Sequence, residues 1–291
     1  MPPRLELGVR ARLRAQFERK HGRTALSRSG FRFPLKLAKT FPAGPAGEAL
    51  AVTVMDATPG LMNGDVYELD WHIGERCAVS ATTQSYTKIH PCPTVEASQT
   101  ISIRVEAGGS FVYMPQPTIP YEGARYRSTV DVSLAEGARF LMADILTPGR
   151  THRGELYRYD RLANDISVRL DGKYIASNRL LLHPGQSPFR GVAMIEEETH
   201  LGTLYAFAPR LSGTAADAVR ESAAAACEGK PGIRFGVTNA VRYGLTAVVL
   251  GTNVWSVQQV LAAMSNAFVQ LAGTEEGGSE WAWPLPAVSL S

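Results

Sequence analysis

Four short turns of one form recur through the middle of the sequence and limit what it can fold into. They are Ile73-Gly74-Glu75-Arg76, Ala107-Gly108-Gly109-Ser110, Ala135-Glu136-Gly137-Ala138 and Leu170-Asp171-Gly172-Lys173. Each joins an alternating polar–apolar segment to another β-like segment. Residues 100–106 and 125–134 alternate most clearly and are rich in Val, Ile, Thr and Tyr. With Gly74, Gly109, Gly137 and Gly172 as markers, the spacings are 35, 28 and 35 residues. A repeat of this length suits a β-solenoid, in which each coil stacks on the last. Ordinary hairpins in a sandwich also set turns at intervals, so periodicity alone leaves both readings open.

The texture changes after about residue 210. Residues 214–227 are alanine-rich, open with Thr214 and stop before Gly229, which reads as a helix. Residues 234–250 are mostly strand-like. Val254, Val257, Leu261, Met264, Phe268 and Leu271 then recur every three or four residues, one face of a helix that Asn253 can cap and Gly273 can end. This stripe suits packing on a sheet, and it is also the candidate partner-facing helix. The expected organisation is a β-rich region over 1–210 and a helix–strand region over 211–291, packed together as one domain. Trp281 and Trp283 mark a tail.

With 291 residues, 45% of them hydrophobic, the chain can build a core without covalent staples. Cys77, Cys92 and Cys227 cannot all pair within one chain, and their spacing is neither a disulfide framework nor a zinc ribbon. No apolar run approaches the roughly 20 residues of a membrane span, and the basic start lacks the apolar centre of a secretory signal. The expected location is cytoplasmic, with no membrane contact. Residues 1–39 carry a local charge of +9. Within them Val9, Ala11, Leu13, Ala15 and Phe17 alternate with Arg10, Arg12, Arg14, Gln16 and Glu18, the period of a strand with a solvated arginine face. Val9, Leu13 and Phe17 also fit a helical stripe. No nucleic-acid reader motif accompanies the basic face, so no nucleic-acid partner is expected.

Enzyme signatures are thin. The sequence holds no GxGxxG, phosphate loop, GxSxG or HExxH. His90 and Cys92 form the closest soft-ligand pair, suited to nickel, zinc or copper. Together with His200 they define one alternative, a metal-dependent enzyme on a β-barrel. Carboxylates in apolar or turn-rich settings draw more interest. Asp65 follows Pro59-Gly60-Leu61-Met62-Asn63-Gly64, Asp144 interrupts Phe140-Leu141-Met142-Ala143 and Ile145-Leu146, and Glu155 follows Gly149-Arg150. A carboxylate in such a run is paired, hydrogen-bonded or functional.

Taken in order, these pieces resemble the urease accessory protein UreD family, called UreH in some organisms. The resemblance runs from about residue 20 to 205. It rests on Pro59-Gly60-Leu61-Met62-Asn63-Gly64-Asp65, on Thr82 to Lys88, on Ala97-Ser98-Gln99, and on Met114-Pro115-Gln116-Pro117-Thr118-Ile119 with Ala124-Arg125. Gly137-Ala138-Arg139-Phe140, Asp144-Ile145-Leu146, Gly149-Arg150 and Gly154-Glu155 complete it. The resemblance implies a mainly β fold, a right-handed β-helix with a small number of C-terminal α-helices. It implies a non-catalytic protein that joins UreF-like and UreG-like accessory proteins on apo-urease and assists GTP-dependent nickel insertion. No tightly bound cofactor is expected, only nickel in transit along a proposed water-filled tunnel. By position, Asp65, Thr87, Asp144 and Glu155 are the candidate path residues. Asn63 stands where the family commonly has glycine, and Asn178-Arg179 where it often has Glu-Arg.

Overall fold

The computed structural model describes residues 8–186, 197–209, 211, 214–240 and 243–273. The tryptophans Trp281 and Trp283 lie outside the described residues. In chain order the strands begin β1 (Arg10–Lys20), β2 (Arg23–Arg32), β3 (Leu35–Leu37), β4 (Phe41–Ala43), β5 (Ala49–Asp56), β6 (Val66–Ile73), β7 (Ala78–Thr83), β8 (Thr87–Ile89) and β9 (Ala97–Val105). They continue with β10 (Ser110–Met114), β11 (Thr118–Pro120), β12 (Arg125–Leu134), β13 (Arg139–Leu146), β14 (Arg161–Leu170), β15 (Lys173–Leu182) and β16 (His200–Phe207). Helix α1 (Ala215–Cys227), β17 (Ile233–Asn239), β18 (Gly244–Gly251) and α2 (Val254–Gly273) follow.

Two stacked sheets result. The first runs β15-β14-β12-β9-β6-β1-β2, and the second runs β17-β18-β16-β13-β10-β7-β5-β3. The chain alternates between them, from β6 to β7, β9 to β10 and β12 to β13, and like strands of successive coils pair in parallel. This is the β-solenoid. The first three recurring turns are its corners. They stack through Glu106 N–H to Ile73 C=O at 2.9 Å, Ala135 N–H to Val105 C=O at 2.9 Å and Arg139 N–H to Gly109 C=O at 2.8 Å. A Cβ on Gly74 would lie 2.5 Å from the Phe17 carbonyl oxygen, which is why that corner is glycine.

The fourth turn is different. Asp171 and Gly172 both take positive φ, and β14 and β15 pair antiparallel with Leu170 opposite Lys173. That is a two-residue hairpin, and such loops match the twist of the strands they join. His21 and Gly22 do the same between β1 and β2. Hairpins therefore close the first sheet at both ends. The strand reading of residues 9–18 holds and the helical one does not: Ala11, Leu13, Ala15 and Phe17 are buried. Arg12 and Arg14 lie on the opposite face and pair with Asp70 at 3.3 and 3.0 Å.

Parallel register sorts the inward side chains of the first sheet into columns. Leu13, Leu69, Ile101, Val130 and Ile166 make one column; Ala15, Trp71, Ile103, Val132 and Val168 make another; Phe17, Ile73, Val105, Leu134 and Leu170 make a third. Trp71 fills the gap to the second sheet, its ring 5.4 Å from Phe111 and 6.0 Å from Tyr113.

The second sheet is apolar on both faces where the helices cover it. Leu141, Ala143 and Ile145 of β13 face α1 and α2, whereas Phe140 and Met142 face the first sheet. This explains the unbroken apolar run around Asp144. Of the two uses offered above for the stripe, packing on a sheet is the one described here. Val257, Leu261, Met264 and Phe268 are buried against β13, β16 and β18, and Val254 packs at their edge. A Cβ on Gly202 would lie 2.6 Å from Val257 Cγ1, so the helix sits on bare backbone. Asn253 caps α2 through the Ser256 N–H at 2.9 Å.

Corner stacking gives a stability prediction. Gly74→Ala should cost about 1–3 kcal/mol through overpacking, a fall of about 2–10 °C in melting temperature. Gly30→Ala, with open space around its Cβ, should stay within about 0.5 kcal/mol. Thermal melts of the two variants check this, and equal melting temperatures would contradict corner stacking.

Candidate functional site

One inward column of the first sheet is not apolar. Tyr67 on β6, Gln99 on β9, Ser128 on β12 and Asn164 on β14 sit in direct register across four parallel strands. The column stands two residues along each strand from the leucine–isoleucine column, on the side away from the corners. Thr83 on β7, Tyr113 on β10 and Asp144 on β13 come toward it from the second sheet. A polar seam thus runs along the solenoid between its two sheets.

Two small cavities lie in this seam. The first, about 50 Å³, is lined by Asp56, Thr58, Tyr67, Thr83, Thr87 and Gln99 among others. The second, about 40 Å³, is lined by Thr83, Thr87, Gln99, Ser128, Asp144 and Asn164 among others. Each has room for at least one water.

Most polar groups of the seam hold one another. Tyr67 donates to Asp56 Oδ2 at 3.2 Å, and Asp56 Oδ1 accepts the Thr58 hydroxyl at 2.7 Å. Tyr126 donates to Gln99 Oε1 at 2.7 Å. Asn164 Nδ2 donates to Asp144 Oδ2 at 3.1 Å. Beyond it, Asn178 Nδ2 donates to the Tyr205 hydroxyl at 2.7 Å. The Tyr113 hydroxyl is fully buried on the second cavity and has no hydrogen-bond partner among the described residues. A buried hydroxyl in that position wants a water or a ligand.

Burial dominates the proton equilibria. It raises the phenols of Tyr67, Tyr113, Tyr126 and Tyr205, which remain neutral hydroxyls. It also pushes Asp144 above the usual carboxylate range, opposed by hydrogen bonds from the Ile145 backbone N–H and from Asn164. Asp144 is therefore a carboxyl whose charge is costly until a cation or donor meets it.

Of the four path residues expected from the sequence, the fold brings Thr87 and Asp144 together on the second cavity. Asp65 and Glu155 lie elsewhere with their oxygens engaged. Asp65 accepts the Val9 N–H at 2.6 Å and the Met62 N–H at 2.8 Å, which ties the turn before β6 to the start of β1. Glu155 is gripped through both oxygens by the Arg150 guanidinium, with Nε to Oε2 at 2.7 Å. That hydrogen-bonded pairing holds its carboxyl below the usual range. Arg150 in turn lies 4.2 Å over the Tyr121 ring. Asn63 accepts the Thr94 and Val95 N–H groups at 3.0 Å and fastens the same turn to the next loop.

His90, Cys92 and His200 each have other contacts in the fold. His90 Nε2 faces the Pro59 carbonyl at 3.3 Å, and the Cys92 thiol donates to the His90 carbonyl at 3.2 Å. His200 sits at the start of β16, where burial lowers its pKa to about 4. Among the described residues no three His, Cys, Asp or Glu side chains come together as a metal-holding group. The β-barrel of that alternative is replaced by the solenoid. Among the described residues no helix is long and apolar enough to cross a membrane.

Sequence reasoning missed Tyr67, Ser128, Asn164, Tyr113 and Tyr126, and quoted Gln99 without a role. The signal was present. Tyr67, Gln99, Ser128 and Asn164 each stand six residues before the last inward apolar residue of their strand, Ile73, Val105, Leu134 and Leu170.

The raised Asp144 carboxyl has a pH consequence. The folded state binds its proton more tightly than the unfolded chain does. Its contribution is fully present below the unfolded carboxylate pKa of about 3.9 and is lost as pH rises through the folded value. Asp144→Asn removes this loss. The variant should match the parent near pH 4 and melt higher at pH 7–8, with the gap opening as pH rises. A gap that closes with rising pH would contradict the assignment.

Comparison with known proteins gives the chain a family. A family model described as UreD urease accessory protein matches residues 9–282. Among curated relatives, the urease accessory protein UreD of Acetivibrio thermocellus is 27% identical over 261 residues, 90% of this chain and 98% of the relative. Urease accessory protein UreD 2 of Streptomyces griseus subsp. griseus is 33% identical over 208 residues, 70% of this chain and 71% of that one. Urease accessory protein UreH of Helicobacter pylori (strain G27) is 31% identical over 179 residues, covering 62% and 67% of the two chains.

Proposed function

This chain belongs to the UreD urease accessory protein family, and from that premise we propose that it serves urease maturation as a non-catalytic scaffold and cation conduit. In this reading it assembles in the cytoplasm with UreF-like and UreG-like proteins on apo-urease. Nickel, delivered by GTP-dependent steps, passes along the polar seam inside the solenoid and holds no resident place there. The observation that carries the reading is the polar column Tyr67, Gln99, Ser128 and Asn164 facing Asp144 in a core whose other columns are apolar. Tyr67 is buried and Gln99, Ser128 and Asn164 are half-buried, so the column keeps polar groups and water between the sheets, and a passage for a hydrated cation is a use for them.

The seam's chemistry fits passage better than storage. Its ligands are hydroxyls, amide oxygens and one carboxyl that burial makes costly to charge, hard oxygen donors without a closed set of imidazole and thiolate. Conduction needs sites favourable enough to enter and weak enough to leave. Hydroxyl and amide oxygens of the wall can stand in for waters of the cation's shell as it passes. Asp144 supplies charge at that point, and Asn164 and the Tyr113 hydroxyl hold the waters that remain.

The test is complementation. In a host whose copy of this gene is deleted, the intact gene should restore both urease activity and urease-bound nickel. Asp144→Asn should restore the protein level but only a several-fold lower nickel content. Full nickel loading with the Asn variant would remove Asp144 from the path. Normal nickel loading in the deletion strain itself would overturn the maturation role.

A further inference from the structure

The two cavities adjoin along a shared lining. Thr83, Thr87 and Gln99 line both. Threonine is short and stiff at its first torsion, so Thr83 and Thr87 make a fixed rim. Gln99 is the one long, unbranched member. Its side chain alone can swing without moving backbone.

Gln99 is held where it stands. In register it faces Ser128, whereas Tyr126 faces Ala97, so the hydrogen bond from the Tyr126 hydroxyl reaches diagonally between β12 and β9 at 2.7 Å. Tyr126 is 4% exposed and fixed by the core around it. Tyr126 also lines the second cavity, so the bond spans the boundary between the chambers. It is one neutral hydrogen bond, worth a factor of about 2–10 in an equilibrium. That is strong enough to favour one rotamer and weak enough to break thermally.

We propose that Gln99 is the gate between the two chambers and that the Tyr126 hydroxyl is its latch. The proposal rests on the cation path proposed above and names the residue that limits it. With the latch made, the amide closes the wall and each chamber holds only its own waters. With the latch broken, the side chain swings, the chambers join, and the amide oxygen is free to accompany a cation across.

The test uses the full assembly of accessory proteins on apo-urease, with Ni²⁺ as the probe, and reads the initial rate of nickel incorporation. Tyr126→Phe removes the latch and keeps the ring. It should speed incorporation about threefold to tenfold, the equilibrium value of the lost hydrogen bond, with the melting temperature little changed. Gln99→Ala removes the gate itself and should also be faster than the parent, so it carries the reading if Tyr126→Phe folds poorly. A purely structural tyrosine would give the opposite sign, slower incorporation and a lower melting temperature, and that result overturns the gate. Parental rates in both variants, alongside reduced nickel in Asp144→Asn, would overturn the gate and leave the path standing. Parental rates in all three would overturn both.

Discussion

Hydrogen bonds between successive coils hold Leu13, Leu69, Ile101, Val130 and Ile166 in one column, and the rest of the structure depends on that parallel register. A slip of one residue would turn every inward side chain of a strand outward. The register is fixed by apolar columns on one side and by stacked corners on the other. Gly74 lets the first corner approach the Phe17 carbonyl, and the corners at 107–110 and 135–138 continue the ladder. Once these are set, the polar residues on the far side have no freedom of placement. Tyr67, Gln99, Ser128 and Asn164 must line up, and a seam forms whether or not it stabilises the fold.

The seam is a cost that the core carries. Asp144 is a carboxyl held above its usual proton affinity, and the Tyr113 hydroxyl has no partner among the described residues. A core selected for stability alone would place leucine or valine at these positions. The compensations are visible nearby. Asn164 donates to Asp144, Tyr126 donates to Gln99, and Tyr67 shares Asp56 with Thr58. These bonds keep the column satisfied when no ion is present, and each is weak enough to exchange for a water or a cation. By contrast, Asp65 and Glu155 are tied by strong, directed partners and behave as parts of the frame.

Much of the fold was legible in the sequence because its periodicities are local. Alternation in residues 9–18 and 125–134 gave strands, and glycine spacing gave the coils. Between the register-aligned residues Ile73, Val105, Leu134 and Leu170 the coils run 32, 29 and 36 residues. The loop between β10 and β12 is the short one. The Leu170–Lys173 turn misled because a two-residue hairpin and a solenoid corner share Gly in the same place, and only pairing direction tells them apart. The α2 stripe was legible as an apolar face, but which surface it covers depends on Gly202 and Gly251, which are distant in sequence. The seam was hidden for a different reason. Carboxylates announce themselves singly, whereas Tyr67, Gln99, Ser128 and Asn164 are unremarkable until register places them side by side.

The central claim is that a cation travels inside the solenoid along this seam. Anomalous X-ray diffraction at the nickel edge, from crystals of the assembled accessory complex exposed to Ni²⁺, tests it most directly. The account predicts partial-occupancy peaks between the two sheets, beside Asp144 and near Gln99, which vanish in the Asp144→Asn complex. Nickel confined to surface histidines, with the seam holding only water at every concentration tried, would contradict it.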